Sequence, residues 1–225
     1  MIVFADVIVD LQYGDTGKGK VAHALAASDE YNVVLRYNGG SNAGHTVYHN
    51  GQKIVTHQVP LGVLFGKKSV IGPGCVVHIS KLVEEIEELN RQGINTKGLI
   101  FVDKRAHVVE QRHIDEDGSD EKIGTTRQGI GPTYRDKYGR SGRRISEFAF
   151  SYGKNKGTFF SLERGTFNVD SEFFTVIDTY EMFHGSEEKY RILCEGAQGF
   201  HLDIDWGEYP YVTSSHCTVG SACLN

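Results

Sequence analysis

The sequence predicts an α/β protein: a mostly parallel central sheet with flanking helices, built around a P-loop-like nucleotide-binding core. Two observations carry that prediction. Strand-like apolar runs alternate with helix-like segments through the first half of the chain, the β-α-β order that gives a parallel sheet. The first run, Val7-Ile8-Val9, leads into Gly14-Asp-Thr-Gly-Lys-Gly-Lys20. A glycine-rich turn between a strand and a helix aims backbone N–H groups and a helix N-terminus at an anion, usually a phosphate.

Taken in order, Met1 to Val9 reads as the first core strand. It is apolar but too short to span a bilayer, and it has no cationic lead. Lys18 to Ala27 is the helix that the glycine turn opens. Asn32 to Tyr37 is a second strand, running into the glycine-rich Asn38–Gly44. Ile54–Val59 and Ser69–Ile71 follow as short strands. Ser80 caps a helix reaching about Gln92. Its apolar face holds Leu82, Val83, Ile86 and Leu89, and Glu84, Glu85, Glu87 and Glu88 face water. Gly93 is the stop signal, and Leu99–Val102 is the next strand. Asp115 to Arg144 is polar, rich in Gly and Arg, and weakly periodic. It reads as ordered loops anchored by Ile123, Ile130 and Tyr134. Arg191–Cys194 returns to strand character just before Glu195-Gly-Ala-Gln198-Gly199.

Bulk properties fit one soluble domain over residues 1–225, with 39% hydrophobic and 24% charged residues. A net charge of −5 and a pI near 6.1 do not suggest a nucleic-acid-binding surface. Cys75, Cys194, Cys217 and Cys223 form no CxxC pair, which speaks against a zinc or redox motif and for reduced thiols in the cytoplasm. Neither nucleic acid nor membrane is an expected partner.

Residues 14–20 almost fit the P-loop pattern, with four residues between Gly14 and the Gly19-Lys20 pair. The next position should be a Ser or Thr whose hydroxyl holds Mg²⁺, but it is Val21. Asp15 is the candidate replacement ligand, because a carboxylate among phosphates needs a cation beside it or a proton to accept. Asn42-Ala43-Gly44-His45-Thr46 sits in a glycine cluster after a strand. Its histidine can reach bound ligand and change protonation near neutral pH. Both loops are expected at the carboxyl end of one sheet, from neighbouring strands. Ile123-Gly-Thr125-Thr126-Arg127-Gln128-Gly129-Ile130-Gly131-Pro132 offers two hydroxyls, an amide and three glycines with N–H groups suited to a phosphate monoester, or forms a plain turn. Arg140, Arg143 and Arg144 are either a solvated face or a phosphate site, since the guanidinium fork favours phosphate. Gln198, at a strand end, can hydrogen-bond a base edge. Cys194 and Cys217 read as core thiols. The histidines other than His45 show no metal-ligand spacing and read as structural.

Taken together these segments resemble the adenylosuccinate synthetase family. The matching stretches are Gln12–Lys20, Gly39–Thr46, Ile123–Thr126 with Gly129–Pro132, Glu195–Gly199 and Tyr209–Ser215. Five motifs in the family's order are far more specific than any one of them. Residues from about 146 to 190 carry no match. The resemblance implies a ligase that couples L-aspartate to C6 of a 6-oxopurine nucleotide, using Mg²⁺ and a nucleoside triphosphate, GTP or ATP. Asp15 is implied as the general base at N1 and as a metal ligand, with the Gly44 carbonyl as the second ligand. His45 is implied as the acid that stabilises the transferring phosphoryl group. Gly14, Thr16, Gly17, Lys18, Gly19, Lys20, Gly44 and Thr46 would contact the triphosphate. Gln198 would hold the base near O6, and Asn42, Thr126 and Thr213 the 5′-phosphate. Ala43, Thr125 and Lys18 complete that nucleotide site. Arg140 matches an arginine that the family supplies across a homodimer interface. The physics agrees: a hydroxypurine oxygen leaves poorly until phosphorylated, and Lys, Mg²⁺ and backbone N–H groups stabilise the charge that builds during transfer.

Two features set the chain apart. The family usually has Glu after the catalytic Asp, whereas this chain has Thr16. A viral branch that makes a 2-aminoadenine precursor from dGMP is similar at Thr16, Gly199-Phe200 and Cys217-Thr218, but carries Ser where this chain keeps Asp15. The reading leans to (d)GMP as acceptor, in the host cytoplasm if the chain is viral, with IMP as the rival. The second feature is length. The family's aspartate-binding loop and triphosphate-base pocket lie beyond Asn225, so a non-catalytic purine-nucleotide-binding module is the alternative of another class.

Overall fold

The computed structural model describes residues 1–118, 124–150, 157–162, 165–170 and 173–225. Ile123, one of the expected anchors, lies outside the described residues. In chain order the strands are β1 (Ile2–Ile8), β2 (Val33–Arg36), β3 (His45–His49), β4 (Gln52–Thr56), β5 (Lys68–Ile71), β6 (Val76–Val77), β7 (Ile100–Asp103), β8 (His107–Val108), β9 (Ala149–Phe150), β10 (Gly157–Leu162), β11 (Gly165–Asp170), β12 (Thr175–Ile177) and β13 (Tyr190–Glu195). The helices are α1 (Lys18–Ala26), α2 (Ile79–Arg91), α3 (Gln111–Asp117), α4 (Ile130–Gly139), α5 (Ile145–Phe148), α6 (Thr179–His184) and α7 (Val219–Ala222).

Six strands make the central sheet, in the order β1-β13-β2-β5-β7-β12. Every neighbouring pair in it is parallel. The expected α/β architecture is present. β2 is buried throughout and β13 nearly so, as continuous apolar strands covered on both faces should be. β1 is an edge strand instead of the first core strand. It has one neighbour, and Met1, Ile2 and Val3 stay exposed.

β13 is inserted between β1 and β2, so the two ligand-like loops after β1 and β2 are one strand apart, not adjacent. This insertion builds the site. Three adjacent parallel strands end at one edge, and each runs into a glycine-rich loop, the place where open α/β sheets bind ligands.

The strand expected over Ile54–Val59 belongs to an antiparallel hairpin, in which β3 pairs with β4 outside the main sheet. Its turn holds Asn50 and Gly51 at φ 51° and 79°, the left-handed pair that an Asn-Gly hairpin turn favours. His45 and Thr46 therefore begin a strand.

Helix α2 forms where its periodicity placed it, and Leu82, Ile86 and Leu89 pack with Ile71, Ile100 and Val102 of the sheet. Burying each such side chain contributes about 1.5–3 kcal/mol. His78, not Ser80, caps this helix by accepting the Lys81 N–H. Glu85 does not face water. Its carboxylate accepts the N–H groups of His57, Gln58 and Val59, and burial raises its pKa. Asp115 to Arg144 is more than loops, because α3 ends there and α4 lies within it. Ile130 and Tyr134 anchor α4 as expected and are buried. Its periodicity is weak because Thr133 and Asp136 share the buried face. Among the described residues, no helix is long and apolar enough to cross a membrane.

Candidate active site

A cavity of about 1820 Å³ opens over the carboxyl ends of β1, β13 and β2. It is lined by Gly14 to Lys20, Asn42 to Thr46, Thr125, Thr126, Gln198 and Thr213. These are all of the predicted site residues except Arg140. His23, read as structural, also lines it, and its Nε2 lies 3.2 Å from His49 Nδ1.

The Gly14–Lys20 loop is held from below by Asp10, a residue that no motif marked. Asp10 is 3% exposed. Its Oδ1 accepts the Gln12 N–H at 2.8 Å, and its Oδ2 accepts Lys18 Nζ at 3.0 Å and the Thr16 hydroxyl. Burial pushes this carboxyl up, but the three hydrogen bonds and the Lys18 charge outweigh it and hold its pKa at about 2. Gly17 then starts α1 at φ 103°, a left-handed conformation that glycine adopts without strain. No side chain caps α1, so its first N–H groups stay available to an anion.

His45 packs directly on this loop. A Cβ on Gly19 would lie 2.9 Å from His45 Cβ and 3.0 Å from Cγ. The ring is 7% exposed, and its Nδ1 lies 3.9 Å from Glu195 Oε1. Burial first, then the Arg36 and Lys18 charges, lower its pKa to about 3. It is therefore neutral at neutral pH and faces the cavity as a hydrogen-bonding imidazole. Gly19→Ala is expected to push the ring off the loop, lowering any turnover that uses this ring by about 10²-fold, while thermal denaturation still shows a folded protein.

Three predicted site residues have strained backbones. Asp15, Arg140 and Gln198 have φ of 54°, 62° and 60°. Left-handed non-glycine residues cost about 1–3 kcal/mol and cluster at functional sites. Asp15 is exposed within the cavity. Asn38 stitches two of the loops together: its Oδ1 accepts the Ala197 N–H at 2.8 Å, and its Nδ2 donates to the Ala197 carbonyl at 3.3 Å. Tyr134 reaches from α4 to the same region, where its hydroxyl accepts the Gly39 N–H at 3.0 Å. Thr125 donates to Asp117 at 2.7 Å and so braces its loop. Gln128 accepts from Lys81, away from the cavity. Asp203, fully buried, accepts the N–H groups of Asp205, Trp206 and Cys217 and so shapes the chain that carries Thr213.

The basic cluster divides. Arg143 donates to Glu110 at 3.3 Å and stacks on Phe148, which makes it a structural residue. Arg140 is exposed at the end of α4, outside the cavity. Cys194 and Cys217 are core thiols as expected, with burial raising both to about 12.

Among the described residues no cluster of three His, Cys, Asp or Glu could hold a metal. Magnesium does not need one, since it takes one or two protein oxygens alongside phosphates and water. The Asp15 carboxylate and the Gly44 carbonyl, both lining the cavity, are hard oxygen donors of that kind.

A parallel sheet with a glycine-rich loop after its edge strand and a cavity at its carboxyl edge defines the α/β nucleotide-binding class. Comparison with known proteins narrows the class. The profile of the family described as Adenylosuccinate synthetase matches residues 7–157 and 166–225, and the chain belongs to that family. The match also covers much of the stretch from about 146 to 190 that carried no motif. Adenylosuccinate synthetases of Chlorobium phaeobacteroides and Helicobacter acinonychis are 39% and 40% identical over 97% and 98% of this chain. The chain spans 57% and 59% of their lengths. The fully ligated adenylosuccinate synthetase of Plasmodium falciparum superposes with a TM-score of 0.75 at 30% identity, over 96% of this chain and 56% of that one. The succinoaminodeoxyadenylate synthetase of cyanophage S-2L, bound to dGMP and to dATP as energy donor, also gives 0.75, at 28% identity over 100% of this chain and 59% of that one.

Proposed function

We propose that the chain performs the phosphoryl-transfer chemistry of an adenylosuccinate synthetase-type ligase, coupling L-aspartate to C6 of a 6-oxopurine nucleotide. The observation that carries this is the convergence of Asp15, Lys18, His45 and Gln198 on one cavity. Asp15 removes the N1 proton of the purine. The resulting 6-oxyanion attacks the γ-phosphorus of the triphosphate and releases the nucleoside diphosphate. Lys18 and the loop N–H groups neutralise the transferring oxygens, and His45 hydrogen-bonds to them. The aspartate amine then adds at C6 and phosphate leaves. Asp15 and the Gly44 carbonyl would hold Mg²⁺, which supplies charge neutralisation on the phosphates. Gln198 holds the base, and Asn42, Thr126 and Thr213 hold the 5′-phosphate.

The acceptor is (d)GMP in this reading. It is supported by Thr16 and by the likeness to the cyanophage enzyme, whose structure holds dGMP. IMP is the rival, supported by Asp15 and by the relatives named adenylosuccinate synthetase. The test is phosphate release with Mg²⁺, aspartate and GTP or ATP, with IMP and dGMP in competition. Absence of aspartate-dependent phosphate release would leave only a nucleotide-binding module, which nucleotide at about 100 times its Kd stabilises by about 2.7 kcal/mol.

Arg140 acts across a homodimer interface in this reading, which fits its exposure outside its own cavity. Arg140→Ala is expected to raise the KM for the monophosphate by about tenfold or more, the loss of a charged hydrogen bond. Mixing it with Asp15→Asn should restore part of the activity, because some dimers then hold one intact site. Titrating one variant into the other checks this, and a flat titration refutes the shared site.

A further inference from the structure

Glu195 opens the motif that supplies Gln198 to the cavity, yet it has no task in the chemistry above. It ends β13, and Arg36 ends β2 as its register partner. Both residues are 1% exposed. Glu195 Oε2 accepts the Leu61 N–H at 3.2 Å. Among the described residues its Oε1 has no hydrogen-bond partner and lies 3.9 Å from His45 Nδ1, which has no side-chain partner either; the Gly196 backbone is the other group that acts on this ring as an acceptor. The three guanidinium nitrogens of Arg36 are also without hydrogen-bond partners among the described residues. Unsatisfied buried polar atoms are costly, so such a cluster is kept where it serves a purpose.

The orientation of the His45 ring indicates the purpose. Its Cβ, Cγ and Cδ2 lie against Gly19 of the phosphate loop. Nε2, bonded to Cδ2, therefore lies on the phosphate side, and Nδ1 is turned inward to Glu195. We propose that Glu195 is the positioning residue of His45: its carboxyl O–H donates to Nδ1 and keeps the ring hydrogen on Nε2, facing a phosphoryl oxygen. The phosphoryl oxygen comes from the ligase reading, whereas the Glu195–His45 contact stands without it. A turn of the carboxyl through about 1 Å brings 3.9 Å to hydrogen-bond length, and the terminal torsion of Glu is soft. Burial raises Glu195 to about 7, against the opposing charge of Arg36 and the Leu61 N–H, the direction that favours a carboxyl keeping its hydrogen.

The experiment compares Glu195→Gln and Glu195→Ala in the whole chain. Nitrogen-15 spectra of histidine-labelled protein report the ring tautomer, and the His45 signals are assigned by their loss in His45→Asn. The wild type should show hydrogen on Nε2. Glu195→Gln, whose amide N–H also donates to Nδ1, should keep that tautomer and most of the turnover. Glu195→Ala should mix the tautomers and lower kcat by about 10²-fold with the KM for the monophosphate unchanged. Unchanged His45 signals in Glu195→Ala overturn the proposal. If Glu195→Ala does not fold, loss of the Nε2–H tautomer in Glu195→Gln overturns it. A wild type without turnover defeats the ligase reading instead, and the spectra still decide the contact.

Discussion

Asp15→Asn is expected to remove turnover while nucleotide binding survives in part. Asparagine has the same size, keeps one acceptor oxygen and tolerates the left-handed φ of 54° found at this position, so the phosphate loop should keep its shape. What is lost, in the proposed reading, is the base that removes the N1 proton, together with one anionic oxygen for the metal. General base catalysis is worth about 10²–10⁴-fold. The drop in aspartate-dependent phosphate release should reach at least the lower end of that range, while calorimetric titration still shows monophosphate binding. Turnover at the wild-type rate would mean that another group takes the proton. The contrast with Gly19→Ala is informative, because that change leaves the base in place and moves only the His45 ring.

The parts of this site that could be read from sequence are the ones written in consecutive residues. The glycine pattern from Gly14 to Lys20 marked a loop after β1, since Gly14 and Gly17 answer a local backbone demand with φ of 91° and 103°, whereas Gly19 answers the approach of His45. Strands β2, β5, β7 and β13 were legible as short apolar runs because both of their faces are covered. The position of β13 between β1 and β2 was not legible, because strand order is decided by contacts between segments about 160 residues apart in the register pair Leu35–Cys194. The β3–β4 hairpin did have a local signal, the Asn50-Gly51 turn, but the strand was expected to join the main sheet. Helix α4 escaped periodicity because ion pairs of Asp136 with Arg112 and Arg135 cover part of its surface. Asp10 is a single carboxylate without a motif, and its meaning lies only in its 3.0 Å approach to Lys18. Glu195 stands in a consecutive motif, but its place 3.9 Å from His45 depends on the fold of β3.

Asp10→Ala should be the most destabilising change in the phosphate loop. It leaves the Lys18 ammonium, 9% exposed, without its anion, and it strips the partners from the Gln12 N–H and the Thr16 hydroxyl. Removing one partner of a buried ion pair costs about 3–5 kcal/mol. Urea denaturation measures that loss, and Asp10→Asn, which keeps the shape, should show a smaller one. The pH dependence has a definite sign. The folded carboxyl titrates at about 2 and the unfolded one near 3.8, so its stabilising effect is complete above the unfolded value and is lost as pH falls from about 4 through about 2. The gap corresponds to about 2 kcal/mol. The stability difference between wild type and Asp10→Asn should therefore be level from about pH 5 to 8 and shrink on acidification; a difference that grew toward low pH would show that Asp10 is not held as its anion. The same pair bears on substrate. An ammonium has three donors, and with one given to Asp10 the other two can point at phosphate oxygens from a fixed position. Asp10→Ala frees the amine to rotate, so the KM for the triphosphate should rise even under conditions where the variant remains folded.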